Sequence, residues 1–164
     1  MKHDKKGLQE KLIPLLNTSY GITAEEIIFI PIGEESISYK VKDKHKTYFV
    51  KFIEDKERLP RISVTNQLLN ELKHLPYITA PTMTIDNKTE VEMDNGFITV
   101  SPFVEGTIIH TPNEEFSKEL VEELTKIVIE LNSLTNQIKT PLHHEDFNSF
   151  FEPTFVSLLE LRNK

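Results

Sequence analysis

The chain has 164 residues, no cysteine and a net charge of −7, with 38% apolar and 27% charged residues. That balance belongs to a folded globular domain with a real core, not to a disordered chain. It excludes disulfides, thiolate metal sites and thiol catalysis. It also argues against a protein that tracks nucleic-acid phosphates, which would present a basic face. No apolar run reaches the length of a membrane span, and none follows Met1-Lys2-His3-Asp4-Lys5-Lys6 as a signal core, so a cytoplasmic protein without membrane partners is expected.

Leu8, Leu12, Leu15 and Leu16 mark a first helix, stopped by the breakers Asn17-Thr18-Ser19-Tyr20-Gly21. Three strand candidates follow, Ile27 to Ile32, Ser36 to Lys42 and Thr47 to Ile53. The short polar turns between them predict an antiparallel meander. A charged connector, Glu54 to Pro60, leads to a helix from about Arg61 to His74, whose apolar face is Val64, Leu68, Leu72 and Leu75. Thr82 to Asp86, Thr89 to Met93 and Phe97 to Phe103 read as further strands, joined at Asn87-Lys88 and Asp94-Asn95-Gly96. Thr111-Pro112-Asn113-Glu114 has the form of a capping box with Thr111 as N-cap. The helix it opens carries Phe116, Leu120, Val121, Leu124, Ile127, Val128, Leu131 and Leu134. A polar stretch to about Asp146 precedes a last apolar segment, Phe150 to Leu161.

Two residues break this pattern. Strand alternation puts Lys51 on one face with Phe49 and Ile53. Glu71 falls three residues after Leu68 and four before Leu75, on the apolar face of its helix. A carboxylate there is costly unless a donor or cation meets it. The two are expected to pair, or else to be surface residues whose stems lie along apolar ground.

The order of elements resembles the N-terminal lobe of protein-kinase-like folds, in the form of the aminoglycoside phosphotransferase and choline-kinase-like family. The residues carrying the likeness are Tyr20-Gly21-Ile22, Ile32-Gly33-Glu34-Glu35-Ser36-Ile37-Ser38-Tyr39-Lys40-Val41, Tyr48-Phe49-Val50-Lys51, Leu68-Leu69-Asn70-Glu71-Leu72 and Phe103-Val104-Glu105-Gly106. The resemblance implies an α+β fold: an antiparallel sheet of about five strands with one packed helix, then the first helices of an incomplete second lobe. It divides the chain into an ATP-binding lobe at 1–104, with a leading helix, and a hinge with truncated substrate-lobe helices at 105–164.

The resemblance also implies roles. Lys51 contacts the α- and β-phosphates of ATP and Glu71 holds it there. The loop Gly33 to Ser38 covers the triphosphate, offering backbone N–H groups and the hydroxyls of Ser36 and Ser38. By itself that loop, with one glycine, reads as a plain hairpin turn. Ser101 to Phe103 form the adenine-pairing hinge. Because Pro102 has no N–H, the donor is Phe103 or Val104. Phe49 packs over adenine or belongs to the core.

The family completes its site with an H-x-D-x-x-x-x-N loop and a later aspartate, which bind Mg²⁺. His144-Glu145-Asp146 spells H-x-D, but Phe151 stands where asparagine is needed and no aspartate follows Asp146. The chain alone is therefore expected to hold no Mg²⁺ ligands and to be inactive. It reads as the ATP-binding part of a kinase that moves the γ-phosphate to the hydroxyl of a small molecule. From Glu105 to Glu130 the charge is acidic, which suits a cationic acceptor and equally a solvated helix face. The alternative is a standalone, non-catalytic nucleotide-binding or protein-interaction module. On either reading a missing second lobe or a dimer partner is expected to cover the apolar C-terminal residues.

Overall fold

The structure, a computed structural model, describes residues 7–31, 36–106 and 116–141. Five strands form one antiparallel sheet in the order β1-β2-β3-β5-β4, with β1 at Glu26–Ile30, β2 at Ile37–Lys42, β3 at Thr47–Ile53, β4 at Glu90–Met93 and β5 at Gly96–Pro102. Three α-helices accompany it, α1 at Leu8–Tyr20, α2 at Leu59–Glu71 and α3 at Lys118–Leu134. The expected α+β sheet of five strands is the one observed.

Turn chemistry sets the register. Between β2 and β3, Asp43 Oδ1 accepts from the N–H groups of His45 and Lys46, both at 2.7 Å. These bonds, with that from the Tyr48 hydroxyl, hold its carboxyl below the usual range. Between β4 and β5 only Asp94 and Asn95 form the turn, with Asp94 in the left-handed region at φ 52°. Gly96, expected in that turn, is the first residue of β5. A Cβ there would run into the Ile53 carbonyl and the Phe52 ring, so the two strands meet closely only because Gly96 has no side chain.

The core lies on one face of the sheet. Leu8, Leu12, Leu16 and Tyr20 recur every fourth residue and are all buried. They pack on Ile37, Tyr39 and Val41 of β2, Val50 and Phe52 of β3, and Ile98 and Val100 of β5. Fully burying each such apolar side chain contributes about 1.5–3 kcal/mol. The helix runs past the expected stop at Asn17, because its terminator is Gly21. That glycine is left-handed (φ 67°), its N–H goes to the Asn17 carbonyl, and Ile22 N–H goes to Leu16. Pro14 is tolerated inside it, on the exposed side.

Three other expectations change. The helix expected from Arg61 to His74 starts and ends earlier. A 3-10 turn at Lys56–Arg58, capped by Asp55, leads straight into Leu59 and Pro60, and α2 closes at Glu71. Thr82 to Asp86 is not a strand: Thr84 N–H bonds Lys88 O, and its hydroxyl accepts from Lys88 N–H, folding the segment into a turn. The described start of α3 is capped by Ser117, whose Oγ accepts from Leu120 N–H at 3.2 Å. The capping box at Thr111 and the apolar segment Phe150 to Leu161 lie outside the described residues, as does His144-Glu145-Asp146.

Candidate functional site

The sheet face opposite α1 carries the candidate site. Strand pairing lays its side chains in two rows across the sheet. One row is Ser38, Lys51, Thr99 and Glu90; the next is Lys40, Phe49 and Ser101. Such cross-strand neighbours have Cβ atoms about 4.5–5.5 Å apart. Lys51 is exposed, and its Nζ lies 5.4 Å from the Phe49 ring centroid. Phe49 meets Phe103 edge-on at 6.2 Å. Lys40 Nζ sits 4.3 Å above the Phe103 ring and 2.7 Å from Glu105 Oε1. The hydroxyls of Ser36 and Ser38 are 3.2 Å apart. Six of the eight site residues expected from the sequence therefore share this face or its rim: Ser36, Ser38, Phe49, Lys51, Ser101 and Phe103. Gly33 lies outside the described residues.

Glu71 is the exception, and the expected Lys51–Glu71 pair is not formed. Glu71 Oε1 accepts from Lys139 N–H at 2.8 Å, while Oε2 accepts from Thr140 N–H at 3.1 Å and Thr140 Oγ1 at 2.8 Å. The Lys139 backbone bond, then those from Thr140, hold its carboxyl below the usual range. Three donors satisfy the carboxylate, so its need for a cation is gone. Among the described residues no carboxylate lies within ion-pair reach of Lys51. Glu71 instead ties the end of α2 to the segment after α3. A second tie lies nearby, where the Tyr77 hydroxyl donates to Glu130 Oε2 of α3 at 2.8 Å.

The two backbone donors expected at the end of β5, Phe103 and Val104, differ in the structure. Phe103 N–H donates to Thr47 O at 2.9 Å, extending the β3–β5 ladder by one rung. Its N–H is thus spent within the sheet. Alternation turns the Val100 carbonyl to the other edge, where it accepts from Thr82 N–H, and turns the Pro102 carbonyl the same way. Val104 N–H has no acceptor among the described residues. The end of β5 thus offers one acceptor at Pro102 and one donor at Val104.

Sequence reading missed Lys40 and Thr99 as members of this face. Period-2 alternation from Ser38 and from Phe97 would have found them once the register was known.

No protein-family model matches this sequence, and no curated protein sequence matches it. Among solved structures, the chain is similar to spectinomycin phosphotransferase APH(9)-Ia bound to ADP and spectinomycin. The TM-score is 0.55 at 21% identity, over 93% of this chain and 55% of that one. The AMP-bound complex of the same phosphotransferase gives a TM-score of 0.49 at 22% identity, with the same coverage. The chain has the α+β fold of the matched part of that phosphotransferase. The chain spans about half the length of that enzyme.

Chemically, the face combines an aromatic pair, an uncompensated ammonium, several hydroxyls and one backbone donor–acceptor edge. That combination suits a flat heterocycle joined to an anionic group. For a divalent metal the fit is poor: among the described residues no three His, Asp or Glu side chains converge. No helix among them is long and apolar enough to cross a membrane.

Proposed function

We propose that this chain is the ATP-binding part of a small-molecule phosphotransferase, transferring the γ-phosphate of ATP to a substrate hydroxyl. The observation that carries the reading is the position of Lys51, exposed and with no carboxylate in reach among the described residues, on the same face as Phe49 and beside the open edge at Pro102 and Val104. Lys51 holds the α- and β-phosphates as a point charge. Phe49 packs on the adenine, whose polar edge meets the Pro102 carbonyl and the Val104 N–H. The Ser36 hydroxyl donates to phosphate oxygens, backed by the buried Ser38 hydroxyl 3.2 Å away. Mg²⁺ arrives with the nucleotide and finds its protein ligands beyond this chain, so the chain alone transfers no phosphate. The acceptor is a hydroxyl compound, and a cationic one suits the glutamate-rich surface of α3.

The exposed apolar residues of α3, Val121, Leu124, Val128 and Ile129, support a further part of the proposal. They are covered by a second lobe in the complete enzyme, or by a second copy if the chain acts as a standalone nucleotide-binding module. Light scattering separates the two, since a discrete dimer favours the module.

The test is an amide-resolved titration with ATP. Shifts are expected at Phe49, Lys51 and Val104, with affinity falling in Lys51→Met while the fold is retained. Nucleotide affinity that survives Lys51→Met unchanged would sink the reading.

A further inference from the structure

A second concavity, of about 730 Å³, lies away from Lys51 along the outer edge of β4. One wall is the polar stripe Ser63, Gln67 and Asn70 of α2. These residues fall on one helical face. The other wall is β4 itself, with Glu90, Val91 and Glu92 in succession. Val91 packs its side chain toward the α1 core.

The hydrogen-bond phase of the sheet shows which main-chain groups are open. Phe103 bonds Thr47, so alternation along β5 turns Thr99 and Phe97 toward β3 and Ile98 toward β4. Ile98 is paired with Val91, which leaves the N–H and C=O groups of Glu90 and Glu92 pointing outward. The side chain of Glu90 is fixed from behind. Its Oε1 accepts from Asn66 Nδ2 and from Thr89 Oγ1, both at 2.6 Å, and both donors belong to buried residues. That leaves Oε2 without a partner among the described residues. Glu92 is already matched, its Oε2 lying 2.9 Å from Lys56 Nζ.

We infer that this groove is a docking site for an extended, basic peptide segment of a partner protein, which adds as a strand to the outer edge of β4 and places a lysine or arginine on Glu90. An open edge strand facing a helix is the geometry of peptide recognition by strand addition. Main-chain pairing supplies affinity, and the fixed carboxylate selects a cation at one position. The four residues of β4 span about 13 Å at roughly 3.3 Å per residue, which sets the docked core at about four residues. Glu90 ends the cross-strand row that carries Lys51, two strands away from it, and neither Lys51 nor Phe49 lines the groove.

The test titrates the isotope-labelled chain with the blocked hexapeptide acetyl-Thr-Lys-Val-Arg-Val-Thr-amide, followed amide by amide. Shifts are expected at Glu90, Glu92, Ser63 and Gln67, but not at Lys51. Affinity should fall about tenfold in Glu90→Gln, the loss of one charge-assisted hydrogen bond. The same peptide with alternate amides N-methylated should not bind. No shifts at millimolar peptide, or equal binding by the N-methylated peptide, overturns the inference. Binding that emerges only after deletion of residues 1–6 overturns it in favour of the chain's own basic start. Binding that emerges only on dilution of a dimer overturns it in favour of a second copy. Lys88→Ala removes a cation of the groove that acts on Glu92, serves as the folded control and should bind at least as well as the native chain.

Discussion

The two faces of the sheet are made by the same strands and do opposite things. Toward α1, Tyr39, Val41, Val50, Ile98 and Val100 are buried almost completely. Toward the other side, within the same strands, Lys51 is exposed and Lys40, Phe49, Thr99 and Ser101 are half-buried, with Ser38 buried among them. Alternation alone produces this division. The buried face is filled by a single helix with a leucine or tyrosine at every fourth position. The open face has α2 over only part of it, so Ile53 and Phe97 are covered while Lys51 is not. The lesson is a division of labour: stability is concentrated on one side, which frees the other to keep a cation that no carboxylate among the described residues meets.

The sharpest way to break that contrast is at the buried face. Leu12 is fully buried, and Leu12→Ala should cost about 2–5 kcal/mol of stability, read by urea unfolding. Nucleotide affinity, measured where the variant is still folded, should be unchanged. A loss of affinity there would mean the two faces are coupled.

Lys51→Met is the mirror experiment. Being exposed, it should change stability by no more than about 0.5 kcal/mol. It should weaken ATP binding by about 1.5–3 kcal/mol, the worth of a hydrogen bond to a charged group. Calorimetric titration beside thermal unfolding checks both halves.

Glu71 offers a third test, by pH. Its carboxyl is held below the usual range by the bonds from Lys139 and Thr140. A depressed folded value means that the contact is fully present above the ordinary carboxylate pKa and is lost as pH falls through the folded one. Hydrogen-exchange protection at Lys139 and Thr140 should therefore be retained at neutral pH and drop in acid. Glu71→Gln should show the lowered protection at every pH. If protection in Glu71→Gln matches the native chain, the tie is not what orders that segment.

The smallest effect is expected at Lys40 and Glu105. Glu105 is largely exposed, so a double-mutant cycle should give a coupling of about 0.2–1 kcal/mol. The more telling change is in salt dependence, since such a pair weakens with ionic strength.

Much of the fold was legible before any coordinates. The α1 leucines, the three-strand meander and the Lys51 strand follow from periodicity and turn residues, which are local properties of the chain. Of the misreadings, one was a local conflict and one came from a distant segment. Thr82 to Asp86 looks like a strand, but the Thr84 hydroxyl and main chain bind Lys88 and bend it. Gly96 looks like a turn residue, but the crowding it relieves comes from Ile53, more than forty residues away in sequence.

By itself the sequence determined which residues share a face, that Glu71 needs partners, and that Pro102 offers no N–H. Tertiary structure alone decided who the partners are. Glu71 is met by main-chain N–H groups and a hydroxyl from Lys139 and Thr140, not by Lys51. Phe103 spends its N–H on Thr47, leaving Val104. The reason is physical: side-chain period is set within a strand or helix, whereas the identity of a hydrogen-bond donor depends on which distant segment the packing brings within about 3 Å.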